Sequence, residues 1–336
     1  MDMSQWKRDL INSKAKKPMP ILSYPAVQKL GVTVRELVGS SGIMAECVVA
    51  VAADNDLSAS VSFMDLSVEA ECFGCEAIIY DYDVPAIGAP IVSGYEDADK
   101  LRVPKIGDGR SGICLDAIEK IKKAVTDRPV FAGCIGPFSL AGRMMGVSDA
   151  MLCCYDEPET LELILQKGTQ FITDYIKAFK RSGADGVILC EPLSGMVSPS
   201  HEEEFSAPYI RQIADAVQDQ DFLVIYHNCG DFTHRMTRSL SENGCGAYHF
   251  GEAVELGDML DAFPSDLLVM GNISPSSLFA AGKPEDMRSA TEKLMKRCAP
   301  YKNFVPSSGC DIPPQSPWEN IMAFIDSVDG YYKSAD

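Results

Sequence analysis

Leu223-Val224-Ile225-Tyr226-His227-Asn228-Cys229 is the stretch on which the fold turns. Apolar, β-branched and aromatic residues run without alternation, as in a strand covered on both faces of a parallel sheet. The run then ends in His227 and Cys229, which lie two apart and so face the same side.

Similar runs occur at residues 19–23, 59–63, 130–136, 186–191, 247–250, 267–272 and 304–308, which with 223–229 makes eight expected strands. The residues at 77–80 read as a short strand in an excursion. Amphipathic stretches separate the runs. The longest, 157–182, repeats Leu161, Leu163, Ile164, Leu165, Phe171, Ile172, Tyr175, Ile176 and Phe179 at helical spacing. Further helices are expected from Pro199, with Ser200 as N-cap and Glu203 closing a capping box, and at 256–263, 285–299 and 317–328. Alternating strands and helices predict a TIM-type (β/α)8 barrel. A doubly wound sheet is the rival, but no G-x-G-x-x-G turn follows the first strand. The expected organisation is one barrel domain over residues 1–336, with a helical N-terminal extension over about 1–57.

Composition narrows the function classes. A net charge of −18 with no basic stripe argues against nucleic acid and against an anionic membrane surface. No apolar run has the length of a membrane span, and residues 1–17 lack the apolar core of a signal peptide. A soluble, cytoplasmic protein is expected. Twelve cysteines without a secretory signal predict reduced thiols, most of them small core residues such as Cys47, Cys134 and Cys190.

In a barrel of this kind active sites lie at the C-terminal ends of the strands. His227 and Cys229 end the fifth expected strand, Glu252 follows the sixth, Asn272 ends the seventh and Cys310 follows the eighth. One imidazole and two thiols form a Zn2+ ligand set with an open fourth position; the alternative is a core histidine with two buried thiols. Glu252 is a candidate fourth ligand, displaced when a thiol arrives; the alternative is a solvated loop carboxylate. His249 could be a ligand in its place, but inside the strand pattern it reads better as a core histidine or a support for the ligands, and His201 and His234 read as surface or capping residues. Glu191 ends the fourth strand, either to orient a substrate or to cap a loop. Asp65 and Glu69, four apart on one helical face, either reach the mouth or are solvated, and Asp81 and Asp83 carry the same two readings. With Glu191 and Asn272, Asp65 and Glu69 are the expected substrate-binding residues. Cys72 and Cys75 form a C-x-x-C with no second pair, which favours a structural reading. Gly107-Asp108-Gly109-Arg110 is a turn outside any phosphate-loop context.

Across roughly residues 60 to 330 the chain resembles the uroporphyrinogen decarboxylase superfamily, and within it the corrinoid-linked methyltransferase branch, the methylcobamide:coenzyme M methyltransferases. The resemblance lies in Asp65-Leu66-Ser67-Val68-Glu69-Ala70-Glu71, Gly136-Pro137-Phe138-Ser139-Leu140, Gly183-Ala184-Asp185-Gly186, Glu191-Pro192, Ser198-Pro199, His227-Asn228-Cys229-Gly230, Gly271-Asn272-Ile273 and Gly309-Cys310-Asp311-Ile312-Pro313-Pro314. It implies a barrel, and zinc on His227, Cys229 and Cys310. It also implies methyl transfer between a corrinoid, carried as substrate on a partner corrinoid protein, and a thiol such as coenzyme M. In the decarboxylase branch an arginine-bearing N-terminal segment holds the substrate's propionates; here Ile21-Leu22-Ser23-Tyr24-Pro25 stands in its place, without arginine. Three other readings remain: demethylation of a small methylated donor to load the corrinoid, a decarboxylase-like lyase, and a non-catalytic corrinoid- or metal-binding protein.

Overall fold

Strands too apolar to face water on either side become the staves of the protein. The computed structural model describes residues 1–335. Its strands are β1 (Ser60–Val61), β2 (Ala77–Ile78), β3 (Ala86–Ile87), β4 (Val130–Ile135), β5 (Gly186–Cys190), β6 (Leu223–Asn228), β7 (Ala247–Phe250), β8 (Leu268–Ile273) and β9 (Phe304–Ser308). Seven form one parallel sheet in the order β1-β4-β5-β6-β7-β8-β9, while β2 and β3 pair antiparallel as a separate hairpin. Helices follow the staves, and the sheet curls into a TIM-type barrel. No helix among the described residues is long and apolar enough to cross a membrane.

The stave expected at 19–23 is a correction. Pro18 and Pro20 have no N–H, so this strip cannot build a regular ladder. It still lies between the sheet's two ends: Met19 N donates to Pro306 O at 2.9 Å, and Ser58 N donates to Pro18 O at 3.1 Å. The N-cap expected at Ser200 is also corrected. The cap of the helix Pro199–Phe205 lies two residues earlier, at Ser198, whose Oγ accepts from His201 N at 3.3 Å. Proline at the first helical position supplies a preset φ and needs no partner for its nitrogen, so the cap falls on the residue before it.

Two apolar layers sandwich the sheet. Ile188, Leu223, Ile225, Ala247, Leu268, Met270 and Val305 fill the barrel interior, and the helix Met3–Asn12 packs Met3 and Trp6 against one end of it. The alternate residues, such as Val187, Leu189, Val224 and Val269, face the surrounding helices. Following the inward positions along each stave two at a time ends on Cys190, His227, His249 and Ser307. The last inward layer is therefore polar and sulfur-bearing, above apolar ones.

Helix Pro199–Phe205 buries Glu202, whose carboxylate accepts from Ser239 Oγ. Burial lifts its pKa to about 7, against the lowering effect of the Ser239 hydrogen bond. An acid whose folded pKa is raised holds its proton longer in the native state, so its ionisation penalty sets in above pH ~4.5 and is complete above ~7. Stability is expected to fall across that window. Glu202→Gln, neutral throughout, should flatten the fall, as read from melting temperatures at pH 5, 6 and 7. An unchanged slope would show that Glu202 ionises without cost.

Candidate metal centre

The residues at the C-terminal ends of the staves converge on one point. A ring nitrogen of His227 and the sulfurs of Cys229 and Cys310 lie within 4.8 Å of one another. His227 Nε2 stands 3.5 Å from Cys310 Sγ. A tetrahedral zinc with bonds of ~2.3 Å to sulfur and ~2.0 Å to nitrogen separates such atoms by about 3.5 Å, so the donor spacing fits the ion.

Local packing explains how the three arrive there. His227 is the last inward residue of β6 and is 1% exposed. Cys229 follows the strand end, and Cys310 follows β9. Gly251 lets them close up: a Cβ there would lie 2.4 Å from Cys229 Cβ and 2.7 Å from its Cα. Asn228 points the other way. Its Nδ2 donates to Glu191 O at 2.9 Å, and its Oδ1 accepts from Gly230 N at 2.9 Å and Thr233 Oγ1 at 2.8 Å, which clamps the loops beside Cys229.

The electrostatics are those of two thiols sharing a proton. The hydrogen bond from Cys310 holds the Cys229 thiol below its ordinary value, while the same bond and burial push Cys310 up. A cation placed between them removes that conflict, because each sulfur then faces positive charge. Beneath them Cys190 is pushed well up by burial and by the two neighbouring sulfurs, and stays a neutral thiol. Burial, then the charge of His227, holds the His249 ring well below the usual histidine range.

A cavity of about 260 Å3 opens onto the sulfurs. Met64, Leu66, Ile312, Pro313 and Pro314 supply apolar wall, and Arg143 and Asp83 supply charge, while burial and then the Cys310 sulfur push the Asp311 carboxyl well up. Arg143, from the helix Pro137–Met145, stands in no sequence motif that marks it; it is exposed and makes no ion pair among the described residues. Only the barrel shows that this helix turns a guanidinium toward the mouth.

The other expected site residues are distributed differently. Glu191 is fully buried and caps the helix Pro137–Met145, accepting from Phe138 N at 2.9 Å and Ser139 N at 2.6 Å. Its expected substrate contact gives way to capping, because two orphan helix N–H groups claim both oxygens. Gly136 makes room, since a Cβ there would lie 2.4 Å from Glu191 Oε2. Glu69 is likewise buried, accepts from Ile135 N at 3.0 Å and is lifted to about 7 by burial. Asp65 does line the cavity, but it is tied to Arg110 Nη1 and to Ser67 Oγ at 2.5 Å. Asn272 Nδ2 donates to Gly251 O at 3.0 Å and Val254 O at 2.8 Å and braces the loop that carries Glu252. Glu252 itself is exposed, lies outside the three-residue group and accepts from Ser274 Oγ at 3.1 Å. In this geometry it is a solvated loop carboxylate. All twelve cysteines are free, and Cys72 Sγ bonds Asp108 O at 3.1 Å, away from the centre.

Fold and site together define a TIM-type barrel with a His/Cys/Cys centre at its C-terminal rim. Residues 19–331 match the family model described as uroporphyrinogen decarboxylase (URO-D), and the chain belongs to that family. It is 26% identical over 272 residues to a methylcobamide:CoM methyltransferase, MtbA, of Methanosarcina acetivorans, covering 80% of this chain and 78% of the relative. It is 27% identical over 287 residues to a uroporphyrinogen decarboxylase of Coxiella burnetii, covering 82% and 78%. In fold it is similar to a solved methyltransferase from Methanosarcina mazei, with a TM-score of 0.87, 19% identity and 99% of each chain covered.

Proposed function

We propose that this chain is a methyltransferase that moves a methyl group between a corrinoid and a thiol, with zinc held by His227, Cys229 and Cys310. The observation that carries the reading is the meeting of those three donors within 4.8 Å on the floor of the mouth cavity. When bound, zinc supplies Lewis-acid chemistry that brings a thiol to its thiolate near neutral pH.

The chain's own residues do the rest. The apolar wall of Met64, Leu66, Ile312 and the two prolines keeps water from the sulfur nucleophile, and so keeps it reactive. Arg143 offers its guanidinium to an acidic tail on the thiol, as coenzyme M would carry. The thiolate attacks the methyl carbon in line. The carbon–sulfur bond forms as the cobalt–carbon bond breaks, and that electron pair stays with the corrinoid. Exposed apolar side chains on the segments beyond the staves, Val84, Met196 and Phe232 among them, support docking of a corrinoid protein over the mouth. A porphyrinogen with several carboxylates finds a poorer match, because among the described residues Arg143 is the one Lys or Arg that lines the cavity, beside Asp65, Asp83 and Asp311.

The test is metal analysis of the purified protein, followed by transfer from methylcobalamin to coenzyme M and other small thiols. About one zinc per chain and thiol-dependent demethylation are expected. Absence of zinc, even after its addition, would sink the reading, and methylation of the corrinoid from a small methylated donor without thiol would reverse the direction. Gly251→Ala is expected to weaken zinc binding at least ~10-fold by pushing Cys229 aside, as read by chelator competition. Unchanged affinity would show that the loop yields without moving the ligand.

A further inference from the structure

Resting on the zinc reading above, we infer that His249 and Ser307 are positioning residues that fix the tautomer of His227. A run of hydrogen bonds leads from the backbone to the metal centre. Ser307 Oγ lies 2.6 Å from Met19 O, His249 Nε2 lies 2.9 Å from Ser307 Oγ, and His249 Nδ1 lies 2.8 Å from His227 Nδ1. On the far side of the same ring, His227 Nε2 faces Cys310 Sγ at 3.5 Å.

The proton positions follow from what each group can do. The Met19 carbonyl only accepts, so Ser307 must give it its single O–H. The Ser307 oxygen is then an acceptor toward His249, and His249 Nε2 carries a proton. Two ring nitrogens 2.8 Å apart share one proton between them. If that proton sat on His249, the ring would be an imidazolium at 0% exposure, and among the described residues no carboxylate pairs with it. Such a buried, unpaired charge is costly. The shared proton therefore belongs to His227 Nδ1, and the lone pair on His227 Nε2 points at the two sulfurs, as metal ligation requires.

The sheet register builds this arrangement. His227 pairs with His249 across β6 and β7, and Asn272 pairs with Ser307 across β8 and β9. The run ends on Met19, whose own amide is bonded to Pro306 O at 2.9 Å, so its anchor is backbone on the strip that closes the barrel. An acceptor with no charge has a further consequence. A carboxylate in the place of His249 would add a negative charge, whereas a neutral imidazole leaves a dication and two thiolates balanced in a buried site.

The experiment uses the full chain with His249→Leu, His249→Gln and Ser307→Ala. Melting curves identify the folded variants, and Ser307→Ala, a single-oxygen deletion, decides the matter should His249→Leu fail to fold. Zinc affinity by chelator competition is expected to fall ~10–100-fold in His249→Leu and Ser307→Ala. It should stay near the parent in His249→Gln, whose amide oxygen can accept from His227 Nδ1. The visible spectrum of the cobalt(II)-loaded variants should shift in the same order. In the metal-free parent, ring 15N shifts should show His227 protonated on Nδ1 and bare on Nε2. A folded His249→Leu or Ser307→Ala that binds zinc as tightly as the parent overturns the inference, as does a parent His227 protonated on Nε2. A parent that takes up no zinc while its His227 carries the Nδ1 proton overturns the zinc reading alone.

Discussion

Cys310→Ser protein, purified beside the parent chain, is expected to lose its zinc and its methyl transfer together. Cys310 is one of three donors in the group, and its sulfur lies 3.5 Å from His227 Nε2. A serine hydroxyl stays protonated near neutral pH and is a poor ligand for zinc, so two donors remain where the site needs three. Affinity should drop by more than the ~10–100-fold that changes outside the ligand set cost. The effect on transfer can be bounded from ionisation. A free thiol with pKa ~8.5 is only about 3% thiolate at pH 7, so losing the ion costs roughly 30-fold before orientation is counted. Loss of the fixed approach geometry adds to this, for an expected fall in kcat/KM of roughly 10³-fold or more. The variant should melt close to the metal-free parent, since Cys310 is half-buried at the cavity edge. Full zinc and full transfer in the variant would remove Cys310 from the ligand set.

Arg110→Leu is expected to produce the largest loss of stability. Arg110 bridges Asp65 and Glu71, with its Nε 2.6 Å from Glu71 and its Nη2 2.7 Å from Ser67 Oγ. Asp65 is 2% exposed at the side chain, so removing the guanidinium leaves its carboxylate with no cation and with the Ser67 N–H and O–H as its remaining donors. Breaking a buried pair on one side typically costs ~3–5 kcal/mol, because the remaining charge is left uncompensated. For a chain of this size that corresponds to a drop in Tm of roughly 4–7 °C. Because Asp65 lines the mouth cavity, thiol KM should rise in the same variant. A variant melting within a degree of the parent would show that water reaches Asp65 and replaces the arginine.

Arg110 also shows where reading the chain stops. In the sequence it closes a Gly-Asp-Gly-Arg turn that lies far from Asp65, with nothing to connect the two. Glu191 and Asp65 look alike as acids near strand ends, yet one caps a helix and the other lines the cavity. Their neighbours decide this: the N–H groups of Phe138 and Ser139 come from the end of a different stave. The 19–23 strip reads as a strand because it is apolar, and its prolines keep it from pairing as one.

The sequence by itself determined the barrel and the donor types. Both are carried by short-range regularities: unbroken apolar runs, helical spacing between them, and polar residues placed at the ends of runs. Only the tertiary structure decided which groups meet. The His249–His227 contact, the Ser307–Met19 anchor, the turn of Arg143 toward the mouth and the bond from Ser274 to Glu252 depend on sheet register and loop packing. These are set by contacts between residues tens to hundreds of positions apart, and no local pattern encodes them.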